Sequence, residues 1–470
     1  MTTYRQSYVQ RSDLVSPPPS GSPMGITGIS VSGFKSLRAQ QHIDIKPLTV
    51  IAGINSSGKS SIIQPLLLLK QTLEAPYDPG PLLLDGPNVS VTRIEQLLSR
   101  GQGRQAADRD FSVAFSVSDR LEVRLRFGKS NSGDIRLIEQ ASPLIREGQP
   151  ITIREGMSHK ELDAILPANL KEQAGRFVTE TDPGGRNSWS PGRWGVERDR
   201  WLLKVDGHFS EGIATFSVSI GPVLQPYQNE IARIIHLPAL RGNPKRTYRT
   251  AAVEERYPGT FDDYTAGIIA AWQNREDSEK IEQLSADLEL LGLTWKVEAH
   301  QLDDTSVELL VGRLPRAKQG EAGDLVNIAD VGFGVSQTLP VVVALLAAAP
   351  GQLVYLEQPE IHLHPRAQAA FASLLRASVA RGVRIVVETH SALLIRAIQT
   401  IVAQGQLPPD DIALHWFSRD PTSGWTTVTS ADLDRFGSFG DWPEDFDEVN
   451  LRTDHDYLSA AEAAEAASAG

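Results

Sequence analysis

The sequence predicts an α/β fold built on a buried parallel sheet, with a β-rich, partly irregular region inserted into it. Three stretches carry that expectation. From Leu353 onward, apolar strands and amphipathic helices alternate: LVYL, RAQAAFASLLRASVA closed by Gly382, VRIVVE, ALLIRAIQTIVAQ closed by Gly405, and IALHWF. That order calls for right-handed βαβ crossovers over strands buried on both faces. Near the start, ITGISVSGF and HIDIKPLTVIA read as two strands, the second becoming buried. A helix follows directly from about Gly58, carrying Ile62, Ile63, Leu66, Leu67 and Leu69, with a kink expected at Pro65. Between about Ser90 and Ile220, FSVAFSV, LEVRLRF and IATFSVSI alternate like antiparallel strands between polar and Gly/Pro-rich pieces.

Composition narrows the function classes. Of 470 residues, 41% are hydrophobic, enough for a substantial core. Lys and Arg number 46 against 58 Asp and Glu, a net charge of −12, so any nucleic-acid contact must come from a local patch. The absence of cysteine removes disulfides, thiolate metal sites and cysteine nucleophiles together, and fits a reducing cytoplasm. No stretch approaches the roughly 18 apolar residues that cross a bilayer, and the longest candidate, Leu339 to Ala349, contains Pro340. The opening residues lack an apolar signal region and end in a Pro/Ser run, so a cytoplasmic location is expected, without membrane contact.

Two patches invite a nucleic-acid reading. Residues 181 to 204 set three tryptophans among arginines, a composition that either stacks unpaired bases or packs inward, the second being favoured. Arg241, Lys245, Arg246 and Arg249 form a basic cluster suited to phosphates or a partner, although a solvated charged loop is the simpler account. SEKIEQLSADLELLGL has helical spacing but no further heptads, so no coiled-coil arm is expected.

The strongest chemical signal is Gly53-Ile54-Asn55-Ser56-Ser57-Gly58-Lys59-Ser60, followed by Ser61, between a buried strand and a helix. Glycines allow backbone N–H groups to curl around a β-phosphate, Lys59 brings charge to the β and γ phosphates, and Ser60 offers a hydroxyl to Mg²⁺. In LVYLEQPEIHLHP a buried strand delivers Glu357 to the carboxyl end of the sheet, where an acid can hold the same Mg²⁺. VRIVVETHSALL ends a strand at Glu388, Thr389 and His390, placing His390 at the sheet edge where ligands collect. Finally, Gly332-Phe333-Gly334-Val335-Ser336-Gln337 is a glycine-rich turn opening the apolar helix LPVVVALLAAA, a second anion-capping end that makes sense in a dimer.

Taken in order, the phosphate loop, GFGVSQ, EQPEIHLHP and ETHS resemble the ABC-type ATPase heads of the RecF and overcoming-lysogenization-defect (OLD) class. SGFKSL before the phosphate loop and GDWPEDFDE near the end also resemble a prokaryotic group of AAA-labelled ATPases with a small C-terminal domain. The likeness runs over about residues 25 to 450 and implies a P-loop NTPase of the ABC-ATPase head type, a mixed β-sheet lobe plus a helical lobe. It further implies a homodimer enclosing two ATP molecules, each held by one subunit's phosphate loop (Gly53, Asn55, Ser56, Ser57, Gly58, Lys59, Ser60, Ser61) and the other's signature turn (Gly332, Gly334, Ser336, Gln337). By the same resemblance Glu357 is the Walker B acid, holding Mg²⁺ with Ser60, and His390 is the switch histidine. His364 falls where relatives have an acid. Gln358 stands where many relatives have the catalytic glutamate; glutamine can orient water but not take its proton, so slow hydrolysis is implied unless Glu360 or Glu388 substitutes. Gln64 and Gln71 are the candidates for the glutamine loop.

These readings divide the chain into a flexible tail (1–24), a first ATPase segment (25–90), an antiparallel and helical insertion (91–300), a second ATPase segment (301–405), a small C-terminal domain (406–455) and a second tail (456–470). The implied function is an ATP-driven dimeric switch for a separate effector, a nuclease or a toxin, in antiphage defence or DNA maintenance. The alternatives are a RecF-like DNA clamp and a nucleotide-binding scaffold with little turnover. His362 and His364 beside Glu357 and Glu360 offer a minor transition-metal reading. Too few residues follow His390 for a Toprim nuclease. The acidic cluster Asp441, Glu444, Asp445, Asp447 and Glu448 reads as a solvated face.

Overall fold

The antiparallel part of the chain begins where short alternating strands pair with distant partners. The computed structural model describes residues 24–100, 108–118, 122–130, 133–146, 149–168, 171, 190–211, 214–219, 224–250, 255–275, 277–314, 324–440 and 455–460. Strands β1 (Ile26–Ser32) and β2 (Gln41–Asp44) precede β3 (Leu48–Gly53), which runs into helix α1 (Lys59–Glu74). Next come β4 (Asp110–Val117), β5 (Val123–Lys129), β6 (Ile135–Arg146) and β7 (Gln149–Ile153). With β1 and β2 these build one antiparallel sheet in the order β2-β1-β4-β5-β6-β7. Helix α2 (His159–Ile165), capped by Ser158, leads to a second antiparallel sheet of β8 (Ser190–Asp199), β9 (Leu202–Glu211) and β10 (Ala214–Ser219).

The chain then enters the main sheet through α3 (Gln225–Ala232) and β11 (Ile235–Leu237). A peripheral unit follows: β12 (Tyr248–Arg249), α4 (Thr265–Asn274), α5 (Ser278–Leu290), β13 (Val297–Asp303), β14 (Ser306–Gly312) and β15 (Leu325–Asn327). The α/β alternation occupies α6 (Phe333–Ala347), β16 (Leu353–Glu357), α7 (Pro365–Ala380), β17 (Arg384–Glu388), α8 (Ala392–Ala403), β18 (Ile412–Arg419) and β19 (Thr426–Ala431). Its helices start and stop on local chemistry. His364 and Pro365 open α7, the Ser391 hydroxyl accepts from Leu394 N in α8, and Gly382 and Gly405 follow α7 and α8 at φ +83° and +70°.

The main sheet has the order β11-β16-β17-β3-β18-β19, with all neighbours parallel except the final β18–β19 hairpin. Strand β3 is buried along its whole length, and β16 is buried except at Glu357. Continuous apolar runs such as LTVIA and LVYL suit that environment, since helices cover both faces of a parallel sheet. Strands β18 and β19, beyond the boundary expected at residue 405, belong to this sheet, so the chain after α8 completes the core beside the phosphate loop.

One expectation is revised. The GFGVSQ segment is helical rather than a turn ahead of a helix: α6 starts at Phe333 with Gly332 as its N-cap, and Pro340 lies inside it. Pro65, where the sequence expects a kink, lies buried within the span of α1. Residues 190–204 of the tryptophan-rich stretch belong to the β8–β9 hairpin, and its described tryptophans pack inward, the reading the sequence favours. Trp194 is buried, and Trp201 is fully buried with its indole N–H donating to Leu69 O and its ring edge-on to Phe115. Trp189, residues 1–23 and 461–470 of the expected tails and the acidic cluster at 441–448 lie outside the described residues, whereas 455–460, at the start of the expected second tail, are helical. Among the described residues no helix is long and apolar enough to cross a membrane.

Because its ring fills the junction between α1 and β4, Trp201→Ala is expected to lower stability by about 3–5 kcal/mol. Urea denaturation checks this; a loss below about 1 kcal/mol would mean that the ring is not part of the core.

Candidate functional site

The sheet order decides which motifs meet. Residues 53–58 leave β3 at its carboxyl end and turn sharply, with Gly53 at φ +142°, Ser56 at +61° and Gly58 at +96°. A Cβ on Gly53 would come within 2.2 Å of Phe417 O on the paired strand β18, and one on Gly58 within 2.5 Å of Thr426 Oγ1. Only glycine fits either position. The turn leaves the first turn of α1 with no side-chain cap and no acid, so its free N–H groups and positive dipole end suit an anion.

Lys59 folds back over this loop, donating to Gly53 O at 3.0 Å and Ile54 O at 2.8 Å. Burial lowers its pKa against the pull of Glu388 and Glu360. The loop is clamped from outside by the β18–β19 hairpin. Thr426 Oγ1 donates to Ser57 O at 2.6 Å and lies 2.8 Å from Ser36 Oγ, while Arg419 Nη1 donates to Ser56 O at 3.3 Å.

A cavity of about 730 Å³ opens over the loop. Asn55, Ser56, Gly58, Lys59, Ser60 and Ser61 form its floor, and Gln358, Glu388 and His390 its inner end. Lys35, Arg419 and Trp425 stand among its other walls, the Trp425 ring carrying the Arg38 guanidinium 5.1 Å from its centroid. Gln64 also lines it and accepts from Lys35 Nζ. Gln71 does not: its amide is buried against the backbone of Leu83 and Val89, bracing the loop after α1.

Ser60 Oγ donates to Glu388 Oε2 at 2.9 Å, and Tyr355 OH donates to the same oxygen at 3.0 Å. Burial and the nearby charge of Glu357 push the Glu388 carboxyl above the ordinary range. Glu357 occupies a different setting. Its Oε1 lies 3.3 Å from His236 Nε2, and its Oε2 accepts from Ala239 N at 3.2 Å. Burial alone would raise this carboxyl, but His236 and the Ala239 amide outweigh it and hold Glu357 below the usual range. The sequence pattern pairs Ser60 with Glu357; the side chains pair it with Glu388.

Gln358 sits at φ +43°, a conformation uncommon for glutamine, with its N–H donating to Glu388 O at 2.8 Å. Such strain concentrates where a side chain must be presented to a ligand. Glu360 turns inward, accepting from Thr389 Oγ1 at 2.7 Å and His390 N at 2.9 Å, and thereby fixes the backbone carrying His390. His390 Nε2 is buried without a hydrogen-bond partner. Burial and the Lys59 charge lower its pKa, leaving a neutral ring beside the loop.

The GFGVSQ residues do not join this cavity. Gly332 and Phe333 are exposed, Ser336 is buried with its hydroxyl on Phe333 O, and Gln337 Nε2 donates to Gly242 O. Phe333 stacks on His362, and His364 Nδ1 accepts from Arg366 N at the start of α7, leaving the two histidines in separate roles. Among the described residues no group of three or more potential ligands has metal-binding spacing.

The 241–249 cluster is split, with Lys245, Arg246 and Arg249 exposed and Arg241 turned inward. Arg241 is buried, bonding Gln337 O at 2.9 Å and Glu357 O at 3.2 Å, and burial lowers its pKa to about 10. Arg246 forms a two-pronged pair with Asp330. Sequence reasoning gave no role to His236, Asn88 or Tyr355. The buried pairing of Asn88 Oδ1 with His236 Nδ1 at 2.9 Å arises from segments 148 residues apart.

A methyl group at Gly53 must separate β3 from β18. Gly53→Ala is therefore expected to lower the thermal midpoint and weaken nucleotide binding about tenfold or more. Gly332→Ala, where a Cβ meets nothing within 4 Å, is expected to leave the midpoint unchanged. Circular-dichroism melts and fluorescent-nucleotide titrations of both variants make the comparison.

No curated protein matches the chain. Similar solved structures include the SmcHead bound to the C-winged helix domain of ScpA, at 14% identity and TM-score 0.46 over 87% of this chain and 98% of that one. The SMC head domain from Thermotoga maritima gives 12% and 0.40 over 87% and 100%. The Smc head domain with an extended coiled coil bound to the C-terminal domain of ScpA, derived from Pyrococcus furiosus, gives 13% and 0.44 over 87% and 97%. Likeness at this level carries no functional information. Residues 48–190 and 247–396, which include the phosphate loop and the strands bearing Glu357 and Glu388, match the family described as "AAA domain, putative AbiEii toxin, Type IV TA system". The chain belongs to that AAA-domain family and has a P-loop NTPase fold, its phosphate loop joining a strand of a mainly parallel sheet to a helix.

Proposed function

We propose that this protein binds ATP with Mg²⁺ in the cavity above the phosphate loop and hydrolyses it slowly. ATP-dependent pairing of two copies would then act as a switch for a separate effector protein. The observation that carries the reading is the convergence of Lys59, Ser60, Gln358, Glu388 and His390 on one cavity.

Each group has a physical part. The free amides at the start of α1 meet the β-phosphate, and Lys59, released from the Gly53 and Ile54 carbonyls, meets the β and γ phosphates. Gln358 orients the attacking water, and the unpartnered Nε2 of the neutral His390 faces a γ-phosphate oxygen. Two carboxylates at adjacent strand ends, Glu388 buried and Glu357 partly so, fit a divalent cation, because their mutual repulsion and desolvation are relieved by it. Ser60 and an acid from this pair would hold Mg²⁺, which would supply positive charge against the β and γ phosphates.

The pairing of two copies is supported by what one copy leaves outside its own site. Gly332 and Phe333, at the positive end of α6, are exposed and lie off the cavity. Ile54, Phe333, Ile361 and Leu393 are large apolar side chains, each about half exposed, in or beside the phosphate-loop, GFGVSQ, EQPEIHLHP and ETHS segments. For the DNA-clamp alternative, Trp194, Trp201 and Arg241 are buried, which leaves the exposed Lys245, Arg246 and Arg249 as the described residues that could serve it. A scaffold with little turnover retains one, the neutral Gln358.

The mass of the wild-type protein is expected to double on addition of ATP and Mg²⁺, with measurable phosphate release. Both responses should be absent in Lys59→Ala, as read by light scattering coupled to a phosphate assay. An unchanged mass in every condition would refute the pairing. Installing a carboxylate with Gln358→Glu is expected to raise turnover by roughly ten- to a hundredfold if water activation limits the reaction. An unchanged rate would place water activation on another residue.

A further inference from the structure

The two strand-end acids are in register, Glu357 opposite Glu388, yet their side chains diverge. Both oxygens of Glu357 are taken up by His236 and the Ala239 amide, on β11 and the loop after it. His236 is in turn fixed from two sides, by Asn88 at 2.9 Å and by stacking on Tyr355 at 5.4 Å between ring centroids. Glu388 lines the cavity beside Gln358 and His390, whereas Glu357 is not part of its wall.

Coordination geometry then discriminates between them. Mg²⁺ holds oxygen ligands at about 2.0–2.1 Å in an octahedron, so two adjacent ligands stand about 2.9 Å apart. Ser60 Oγ and Glu388 Oε2 are separated by 2.9 Å. Tyr355 OH donates to the same oxygen at 3.0 Å and also lies within hydrogen-bonding reach of Glu357, so it braces the two acids from between their strands. A hydroxyl and a carboxylate already at the spacing of neighbouring ligands need only admit the cation between them.

Building on the nucleotide reading above, we propose that Glu388, rather than Glu357, is the carboxylate that completes the Mg²⁺ site with Ser60. Glu357 is a positioning residue: with His236 and Asn88 it anchors the end of β16, from which Tyr355 orients Glu388. The metal acid thus resides on the strand between the phosphate-loop strand and the strand where the sequence pattern places it.

The test uses the full chain with Mn²⁺ as a spin probe, titrated by electron paramagnetic resonance in the presence of a non-hydrolysable ATP analogue. Binding of a fluorescent ATP analogue in EDTA is measured alongside. Glu388→Gln is expected to weaken Mn²⁺ about a hundredfold, Tyr355→Phe about tenfold, and Glu357→Gln by less than about threefold. The Glu357→Gln result keeps the assignment testable should Glu388→Gln fold poorly. Loss of Mn²⁺ in Glu357→Gln, whether alone or equal to that in Glu388→Gln, overturns the assignment while leaving the nucleotide reading intact. A wild-type protein that binds no nucleotide in either condition overturns the nucleotide reading, and this assignment with it.

Discussion

The pairing of β3 between β17 and β18 is the constraint on which the candidate site depends. Opposite registers Glu388↔Ile51 and Phe417↔Gly53 fix the end of β17 and the start of the β18–β19 hairpin on either side of the phosphate loop. Ser60 and Glu388, 328 residues apart in sequence, meet only because those strands are neighbours. Parallel pairing leaves no slack for this, because a one-residue slip would turn every side chain to the opposite face of the sheet. The glycine at position 53 is the local expression of the same constraint, its missing Cβ making room for the Phe417 carbonyl.

Electrostatics in this setting separates groups that the sequence presents as equivalent. Glu357 and Glu388 end adjacent strands and share a low-dielectric environment that penalises both charges. Glu357 is stabilised by an imidazole and a backbone amide and is held below the usual range, whereas Glu388 is left with two hydroxyl donors and a nearby like charge and is pushed up. Divergent environments for paired acids are the usual mark of divided roles. Glu360 illustrates a third outcome, a carboxylate spent on holding Thr389 and His390 in place.

The rest of the molecule supports this edge mechanically. The β18–β19 hairpin ties Ser56 and Ser57 to Arg419 and Thr426, and Trp201 locks α1 against the antiparallel sheet through Leu69 and Phe115. Arg241 bridges α6 to the end of β16, linking the exposed GFGVSQ end to the strand that carries Glu357. A movement imposed on α6 would therefore reach β16 through a buried guanidinium rather than through solvent, in keeping with rigid packed contacts as carriers of coupling.

By itself the sequence determined the phosphate loop, the order of strands and helices after Leu353, and the presence of acids and a histidine at the strand ends. These are local facts, set by backbone permissiveness at glycine, by apolar periodicity and by helix caps within a few residues. Tertiary structure alone decided that Ser60 faces Glu388, that Arg241 and Trp201 turn inward, that His236 and Asn88 brace Glu357, and that β18 and β19 complete the core sheet. Each depends on which distant strands become neighbours and which side chains must share a dry interior. The free energy of burying a polar group is fixed by its partners there, and a one-dimensional pattern does not specify them.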